Sequence, residues 1–410
     1  MFSRIFQQFR PFKRSAKKIY ADYATLTPIS DKVLGVYTRA YKEYSKNPSA
    51  LYASAVMSKK RLDLARKEVA RLLSDTSLHS VHADEVFFTS GGTESNNIAI
   101  QGVLEAWYRE NPQHTEKPHI IVSTIEHPAV KKVVDSLVAA RKITASYVSV
   151  NEKGIVDLVE LKKVFEEQKY IILVSIMLVN NEIGTIQPIS DVARMVRAYR
   201  KKYNSVYPYF HTDACQAPCY VDMPIDKMGV DILTLDGGKI YGPRGVGCIY
   251  VKRNTKIEPV YLGGSQESGL RPGTEHVPAV IGFSTALSDA YTMRGREVLR
   301  LSDMQTYIMS HIPSGAYING STDAKERIVN NINVCIPGSD SEFLVFQMDV
   351  AGVEVSAVTA CQNTQEESRS TVVDALGKNC GGSSLRISLG RYTTWREVKK
   401  IVDVLASLRV

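Results

Sequence analysis

Residues 231–251 read DILTLDGGKIYGPRGVGCIYV, which is two short apolar runs, DILTL and GCIYV, around a turn rich in glycine and proline. Lys239 lies in that turn. Short runs that are apolar throughout are typical of strands buried on both faces of a parallel sheet. Two further runs of this kind are HIIVST at 119–124 and YIILVSIMLV at 170–179. The stretch therefore predicts two core strands of a large sheet.

Helix-like segments alternate with these runs. Apolar residues recur at helical spacing between residues 62 and 72, and Asp157 with Glu160 forms a capping-box-like helix start. This alternation predicts an α/β fold with a doubly wound, mainly parallel sheet. After about residue 275 the pattern changes to long helical stretches with short strands, and Thr394 with Glu397 forms a capping box before the last helix. The change predicts a second, smaller α+β domain.

The predicted organisation has three parts. Residues 1–18 form a basic extension, residues 19–275 a large domain, and residues 276–410 a small C-terminal domain. The first residues of the large domain are expected to pack with the small one.

The charge is concentrated at the N-terminus. The net charge is +8, and six of these positive charges lie in residues 1–18, which contain no acid. The rest of the chain is nearly neutral, so we expect no nucleic-acid partner. Residues 1–18 also contain Phe2, Ile5, Phe6, Phe9 and Phe12. Organellar transit peptides have such a composition, but we favour a flexible or surface-docked extension and a cytoplasmic location.

Two classes of protein are disfavoured by the remaining composition. No apolar run approaches the ~20 residues that span a bilayer, so we expect a soluble protein with no membrane partner. The six cysteines, at 215, 219, 248, 335, 361 and 380, form no CxxC pair. We therefore expect a reducing compartment and no disulfide framework. The eight histidines show no metal-ligand spacing, and we expect no metal site.

Three clusters carry residues suited to chemistry. TSGGTES at 89–95 stands between a strand and a helix, where backbone N–H groups bind phosphate, although glycines there often form only a turn. Asp213 follows an apolar run and suits either an anion beside a ligand or a helix cap. Lys239, between two core strands, suits a Schiff base with a carbonyl cofactor or a side chain extending from a loop.

With its three clusters in this order along the chain, the sequence resembles the cysteine desulfurases. These are class V aminotransferase-like enzymes of fold type I that use pyridoxal 5′-phosphate. The resemblance runs from about Ile19 to the C-terminus. Besides the clusters, it rests on YADYA at 20–24, EHPAV at 126–130, VNNEIG at 179–184, RPGT at 271–274 and SLRISLG at 384–390. It implies an aminotransferase-like fold with a large, mainly parallel-sheet domain and a smaller α+β domain.

The resemblance also implies roles around the cofactor. Lys239 would bind it covalently and later move protons, and Asp213 would pair with its pyridinium nitrogen. Gln216 would hydrogen-bond its phenolic oxygen, and His127 would stack on its ring and act as an acid or base. Asn181 would lie against it as well.

Further roles concern the phosphate and the substrate. Gly92 and Thr93 would hold the phosphate at the helix start, and Thr274 would reach the phosphate of a neighbouring subunit, which implies a homodimer. The substrate carboxylate would be bound by three residues, Asn47, Asn181 and Arg386, because an arginine fork binds a carboxylate through two hydrogen bonds.

Cys361 is the implied sulfur acceptor. It lies in a polar stretch before STVVDALG at 370–377. The implied reaction converts L-cysteine to L-alanine and leaves a persulfide on Cys361. The sulfur would pass to an acceptor protein, such as an iron–sulfur scaffold, or to thiolation pathways. Two alternatives remain: another reaction on the same cofactor, such as selenocysteine lysis or amino-group transfer, and a degenerate, non-catalytic scaffold for sulfur transfer.

The chain departs from the family pattern at the phosphate. Asp236 and Gly238 replace a serine and a histidine that usually face it, and Pro272 replaces a serine. Three accounts stay open: Asp236 points away and caps a turn, the phosphate depends more on Thr93 and Thr274, or cofactor affinity is weakened or lost.

Overall fold

The computed structural model describes residues 18–74, 81–357, 369–378, 380 and 383–408. Within these residues strands and helices alternate, as the apolar runs predict. In chain order the elements are β1 (Ile19–Tyr20), α1 (Asp31–Glu43), α2 (Ala53–Leu73), β2 (Val86–Thr89), α3 (Gly92–Glu110), β3 (His119–Ser123), α4 (Pro128–Ala139), β4 (Thr144–Val148), α5 (Leu158–Glu167), β5 (Ile171–Ser175), α6 (Ile189–Tyr203), β6 (Tyr209–Asp213), α7 (Ile225–Met228), β7 (Ile232–Asp236), β8 (Gly247–Val251), α8 (Val277–Met309), β9 (Tyr317–Ile318), β10 (Asn331–Cys335), α9 (Ser341–Val350), β11 (Val353–Glu354), β12 (Ser356–Ala357), α10 (Thr371–Ala375), β13 (Ser384–Ser388) and α11 (Trp395–Ala406).

A seven-stranded sheet forms the centre of the molecule. Its strand order is β2-β8-β7-β6-β5-β3-β4, and β7 through β4 run parallel. Only β8 runs against its two neighbours, β2 and β7. Every residue of β3, β5, β6 and β8 is buried, because helices cover both faces of the sheet. The predicted α/β fold with a mainly parallel sheet is confirmed.

Two predicted local features differ from the structure. The apolar run at 170–179 is longer than strand β5, which ends at Ser175. The residues beyond it form no strand, but Leu178 N–H still donates to the Asp213 carbonyl at 2.9 Å. Asp157 caps α5 as predicted, whereas Glu160 accepts from Ser149 N–H at 2.9 Å. The capping box at Asp157 is therefore wrong, because Glu160 has a better donor in the preceding strand end.

A second, antiparallel sheet has the order β12-β13-β10-β9. The last helix, α11, begins at a complete capping box between Thr394 and Glu397, as predicted. Its residues Val398, Ile401 and Leu405 are fully buried in the core of this sheet. Amphipathic helix and sheet thus bury their apolar faces against each other.

The start of the described chain belongs with this second core. Strand β1 pairs in parallel with β11, and Ala21 is fully buried in the same cluster as Leu385 and Ile387. A bridge between Asp22 and Ser388 extends the contact. The first described residues therefore pack against strands from the last third of the chain. None of the described helices is long and apolar enough to cross a membrane.

Cys335 and Cys380 form a disulfide across a sequence separation of 45 residues, with Cα atoms 5.9 Å apart. This corrects the expectation of a chain without disulfides. Nothing in the spacing of the cysteines indicated the pair, since the two residues meet only after β10 and β13 align. Cys215, Cys219 and Cys248 are buried and form no disulfide bond.

A buried ion pair fastens α2 to the main sheet. Arg66 donates to both carboxylate oxygens of Glu267, at 2.5 and 2.7 Å, and the same carboxylate accepts from Phe88 N–H at 2.9 Å. The Glu267 side chain is 2% exposed. Removing one partner of such a pair leaves an uncompensated buried charge, which is costly.

We expect Glu267→Ala to lower the free energy of unfolding by about 3 kcal/mol, because Arg66 then keeps its charge without a partner. The matched control is Asp84→Ala, which breaks the exposed pair with Arg253 and should change stability by less than about 1 kcal/mol. Urea unfolding followed by circular dichroism measures both. Equal losses in the two variants would contradict the assignment.

Candidate functional site

The site lies where parallel strands β6 and β7 end. Ligands in α/β sheets bind at the carboxyl ends of the strands. Asp213 is the last residue of β6, and Lys239 follows β7 in a short 3-10 turn. Strand β2, which β8 separates from β7, is followed after two residues by α3, whose first residue is Gly92. The three sequence clusters thus converge at one edge of the sheet.

Lys239 is half-buried, and backbone oxygens hold its amine. Its Nζ donates to the carbonyl of Ala24 at 3.1 Å and also to that of Thr25. Gln216 Nε2 donates to the same Ala24 carbonyl at 2.9 Å. No carboxylate forms an ion pair with Lys239 among the residues that the structure describes. Two neutral backbone carbonyls therefore hold the amine. A ligand with a carbonyl group could replace them as its partner.

The Asp213 carboxylate is oriented by two donors. Asn96 Nδ2 donates to its Oδ2 at 2.7 Å, and Cys215 N–H donates to its Oδ1 at 3.0 Å. Asp213 is 8% exposed, so the charge is placed in a largely dry pocket. The two donors fix the orientation of the Asp213 carboxylate, which suits it to pair with a cationic partner.

His127 caps α4 at the same edge. Its Nδ1 accepts from Ala129 N–H at 3.1 Å. Burial lowers the pKa of His127, and Lys239 lowers it too, while Asp213 and Asp236 act in the opposite direction. The imidazole therefore lies within the electrostatic influence of these three charged groups. A neutral ring with a fixed orientation suits stacking on a planar ligand.

The carboxylate of Asp236, at the end of β7, lies against the start of α3. Asp236 Oδ2 accepts from Gly92 N–H at 2.8 Å, and its Oδ1 accepts from Gly238 N–H at 2.7 Å. Gly91 has a φ of +151°, and a Cβ there would approach Asp236 Oδ2 to 2.9 Å. Asp236 therefore caps the Lys239 turn, but it does not point away from the anion site. The carboxylate occupies one of the N–H groups that a phosphate at this helix start would use.

Arg386 is almost entirely buried, at 5% exposure, and is already paired. Its Nη2 donates to Asp22 Oδ1 at 2.9 Å and to Thr25 Oγ1 at 2.5 Å. Its Nη1 donates to the Asn181 carbonyl at 3.0 Å. Arg386 and Asn181 thus lie together as predicted, although Asn181 contributes its backbone in this contact. The Arg386 Nε has no partner among the described residues.

Cys361 lies outside the described residues, as does the rest of 358–368. Both flanks of that segment are described. Before it, β12 pairs with β13 so that Ser356 opposes Arg386. After it, Ser370 Oγ donates to the Glu182 carboxylate at 2.6 Å, and burial raises the pKa of Glu182 to about 7. The described residues that flank the segment therefore lie beside Arg386 on one side and Glu182 on the other.

Three predicted residues stand apart from this cluster or contribute little to it here. Asn47 is exposed, and its side chain accepts from Ser49 N–H at 2.9 Å rather than contacting Arg386. Thr274 is exposed before α8, a position from which it could face a second chain. Thr93 is exposed on the first turn of α3.

Sequence reasoning missed several groups that shape the site. The Ala24 and Thr25 carbonyls are backbone atoms and leave no side-chain signature. Asn96 directly follows the segment 89–95 and Glu182 lies inside 179–184, so the available signal was a polar residue in or next to a segment already quoted. Among the described residues no group of three or more His, Cys, Asp or Glu side chains is arranged to hold a metal ion.

Comparison with known proteins gives a consistent result. The aminotransferase class-V family model matches residues 19–401. A cysteine desulfurase IscS of Dictyoglomus turgidum is 36% identical over 394 residues, covering 95% of this chain and 94% of that protein. A mitosomal cysteine desulfurase of Trachipleistophora hominis is 33% identical, covering 96% and 86%. A solved NifS-like protein superposes with a TM-score of 0.82 at 29% identity, covering 95% and 98%.

We expect Asp236→Ser to raise the affinity for pyridoxal 5′-phosphate about tenfold or more, because it removes a negative charge from the start of α3 and frees the Gly92 N–H. Affinity for pyridoxal, which has no phosphate, should change little. Absorbance titration of both compounds measures the contrast, with Asp84→Ser as a surface control. An equal change for both compounds would show that Asp236 acts elsewhere than on the phosphate.

Proposed function

Because the chain belongs to the aminotransferase class-V family, we propose that it is a pyridoxal-phosphate-dependent cysteine desulfurase. In this proposal it converts L-cysteine to L-alanine and transfers the sulfur to Cys361 as a persulfide. The observation that carries it is the convergence of the Lys239 amine, the Asp213 carboxylate and the His127 ring at one edge of the sheet. The cysteine desulfurases among its relatives support the choice of substrate.

The residues present fit the cofactor at its reactive end. The Lys239 amine suits the aldehyde, the oriented Asp213 carboxylate suits the pyridinium nitrogen, and Gln216 is available for the phenolic oxygen. Glycines 91 and 92 form a cradle that Cβ atoms would fill, since these would approach Asp236 Oδ2 and Cys215 Sγ to 2.9 and 2.8 Å. When bound, the cofactor supplies an electron sink for the carbon that loses its proton. Asp236 weakens the phosphate end without blocking the reactive end.

Lys239 has two tasks in this site. Its amine, which the Ala24 and Thr25 carbonyls hold here, would bind the cofactor covalently, and the same amine would act as the base toward the α-proton of cysteine. Asp213 would face the ring nitrogen of the cofactor, with its carboxylate held in orientation by Asn96 and the Cys215 N–H. His127 holds the ring plane from the α4 side.

Arg386 and Asn181 bind the substrate carboxylate in this proposal. To do so, Arg386 turns part of its fork from Asp22 and Thr25 toward the substrate, and Asp22 then holds the other side of the guanidinium. The buried charge of Arg386 stays compensated, because the substrate carboxylate replaces the part of the contact that Asp22 and Thr25 give up. Asn47 completes the substrate site only if its loop moves from the position it has here.

Cys361 is the nucleophile. Its thiolate attacks the sulfur of the substrate, a new S–S bond forms, and the bond between that sulfur and the substrate β-carbon breaks. The electron pair stays on the substrate carbon, which takes up protons and leaves as alanine. The described residues on either side of the segment support this role, because Ser356 pairs with Arg386 across the sheet and Ser370 donates to the Glu182 carboxylate.

The proposal includes the partners that this chemistry needs. A sulfur-acceptor protein, such as an iron–sulfur scaffold, removes the persulfide sulfur. A homodimer brings Thr274, which is exposed in one chain, to the phosphate of the other. We place the enzyme in the cytoplasm, whereas the T. hominis relative is named mitosomal. Light scattering that gave the mass of a single chain for the cofactor-loaded protein would overturn the dimer.

We expect the purified, cofactor-treated protein to release alanine from L-cysteine. Lys239→Ala and Cys361→Ala should each reduce the rate by at least about 10³-fold, since each loses a group that takes part in bond making or proton transfer. Cys248→Ala, which changes a buried cysteine of β8 outside the site, should retain the wild-type rate. Amino-acid analysis of the reaction measures all four proteins.

The outcomes separate the alternatives. Alanine formation that survives Cys361→Ala would favour a different reaction on the same cofactor. A wild-type protein that binds no cofactor and forms no alanine, while Asp236→Ser does both, would place the defect at the phosphate. Absence of activity in both proteins, even with an acceptor protein added, would leave a non-catalytic scaffold.

A further inference from the structure

Helix α9 turns an apolar face to solvent. Phe343, Phe346 and Val350 are 53%, 62% and 71% exposed. They recur at i, i+3 and i+7, so they share one side of the helix, opposite the buried Leu344 and Met348. Two phenylalanines and a valine in one row exceed the scattered apolar residues of an ordinary surface. We name these three residues the α9 face.

Acidic residues border the α9 face. Glu342 and Asp349 lie on its flank, and Asp340 caps the helix by accepting from Phe343 N–H at 2.8 Å. No basic residue occurs within α9 itself. An occupant of the face should therefore be apolar on one side and basic on the other.

The described chain begins beside this face. Lys18 Nζ contacts Asp349 Oδ1 at 2.5 Å, and Ile19 N–H donates to the Gly352 carbonyl at 2.9 Å. Strand β1 then pairs with β11, which follows α9 after a two-residue turn. Lys18, to which residues 1–17 are joined, therefore lies at the Val350 end of the α9 face.

The sequence of residues 1–17 has the complementary pattern. Phe2, Ile5, Phe6 and Phe9 recur at i, i+3, i+4 and i+7, which places them on one side of a helix. Pro11 would end that helix after residue 10. The segment also carries only basic charges, with Arg4, Arg10, Lys13, Arg14 and Lys17.

We propose that residues 2–10 form an amphipathic helix that packs on the α9 face of the same chain. A helix of nine residues is about 13 Å long and matches the roughly 15 Å of α9. The seven residues 11–17 reach up to about 23 Å, which lets the segment turn back along α9 from the anchor at Lys18. A nine-residue helix is unstable alone in water, so its formation depends on the face it covers.

Charge and chain connection favour this occupant over a second molecule. The tether keeps the local concentration of residues 2–10 high at the α9 face, at the millimolar level typical of short linkers. The basic side chains meet Glu342 and Asp349 with opposite charge, as Lys18 already meets Asp349. The inference does not depend on the reaction proposed above.

Hydrogen exchange of the full chain tests the proposal. The amides of residues 4–10 should exchange at least about tenfold more slowly than expected for an unstructured segment of the same sequence. Phe343→Ser with Phe346→Ser should return them to the unstructured rate, and Phe6→Ser with Phe9→Ser should do the same from the other side. Val159→Ser, at an 80% exposed position on α5, is the control and should leave the protection unchanged.

Three results would overturn the proposal. Residues 4–10 that exchange at the unstructured rate in the wild type do not dock. Protection that persists in both double variants arises from another surface. Protection that increases with protein concentration belongs to a second copy of the chain. Unchanged melting temperatures of the variants show that the serine substitutions act on the contact and not on the fold.

Discussion

The buried ion pair between Arg386 and Asp22 connects the residue of the site that the antiparallel sheet provides with the segment that contacts Lys239 beside the main sheet. Arg386 belongs to β13, whereas Asp22 belongs to the segment that follows β1. Both side chains are largely shielded from solvent, at 6% and 17% exposure, so the interaction is little screened by water. The same short segment turns the Ala24 and Thr25 carbonyls toward Lys239. Its position therefore determines where the amine of Lys239 and the guanidinium of Arg386 stand relative to each other.

Much of the main sheet could be predicted because its strands are apolar on both faces. The runs at 231–235 and 247–251 became β7 and β8 with shifts of at most one residue. Strand β4, with its mixed sequence TASYV, was not predicted, because an edge strand needs no continuous apolar run. The disulfide of Cys335 with Cys380 was missed for another reason: it depends on strand alignment between distant segments.

The site shows the same division between local and long-range information. Asp213, Lys239 and the start of α3 were identifiable, since each follows a strand and has a residue type that defines its chemistry. The residues that hydrogen-bond to these groups were not identifiable without the resemblance or the fold. Asn96 on Asp213 and Asp236 on Gly92 are contacts across 117 and 144 residues of sequence. Of the first account that the sequence left open, Asp236 fulfils the turn cap at Gly238, but it contacts the Gly92 N–H and so does not point away from the anion site.

The parallel pairing of β1 with β11 has a consequence for biosynthesis. A chain made from its N-terminus cannot complete this pair until residue 354 has left the ribosome, and the partner of Asp22 emerges later still, at residue 386. The central sheet, whose last strand ends at Val251, can assemble earlier. The contacts of residues 22–25 with Lys239 and Arg386 are therefore expected among the last to form during folding. Until then the Lys239 amine lacks the Ala24 and Thr25 carbonyls in their final positions, so its surroundings are completed only when the C-terminal third has folded.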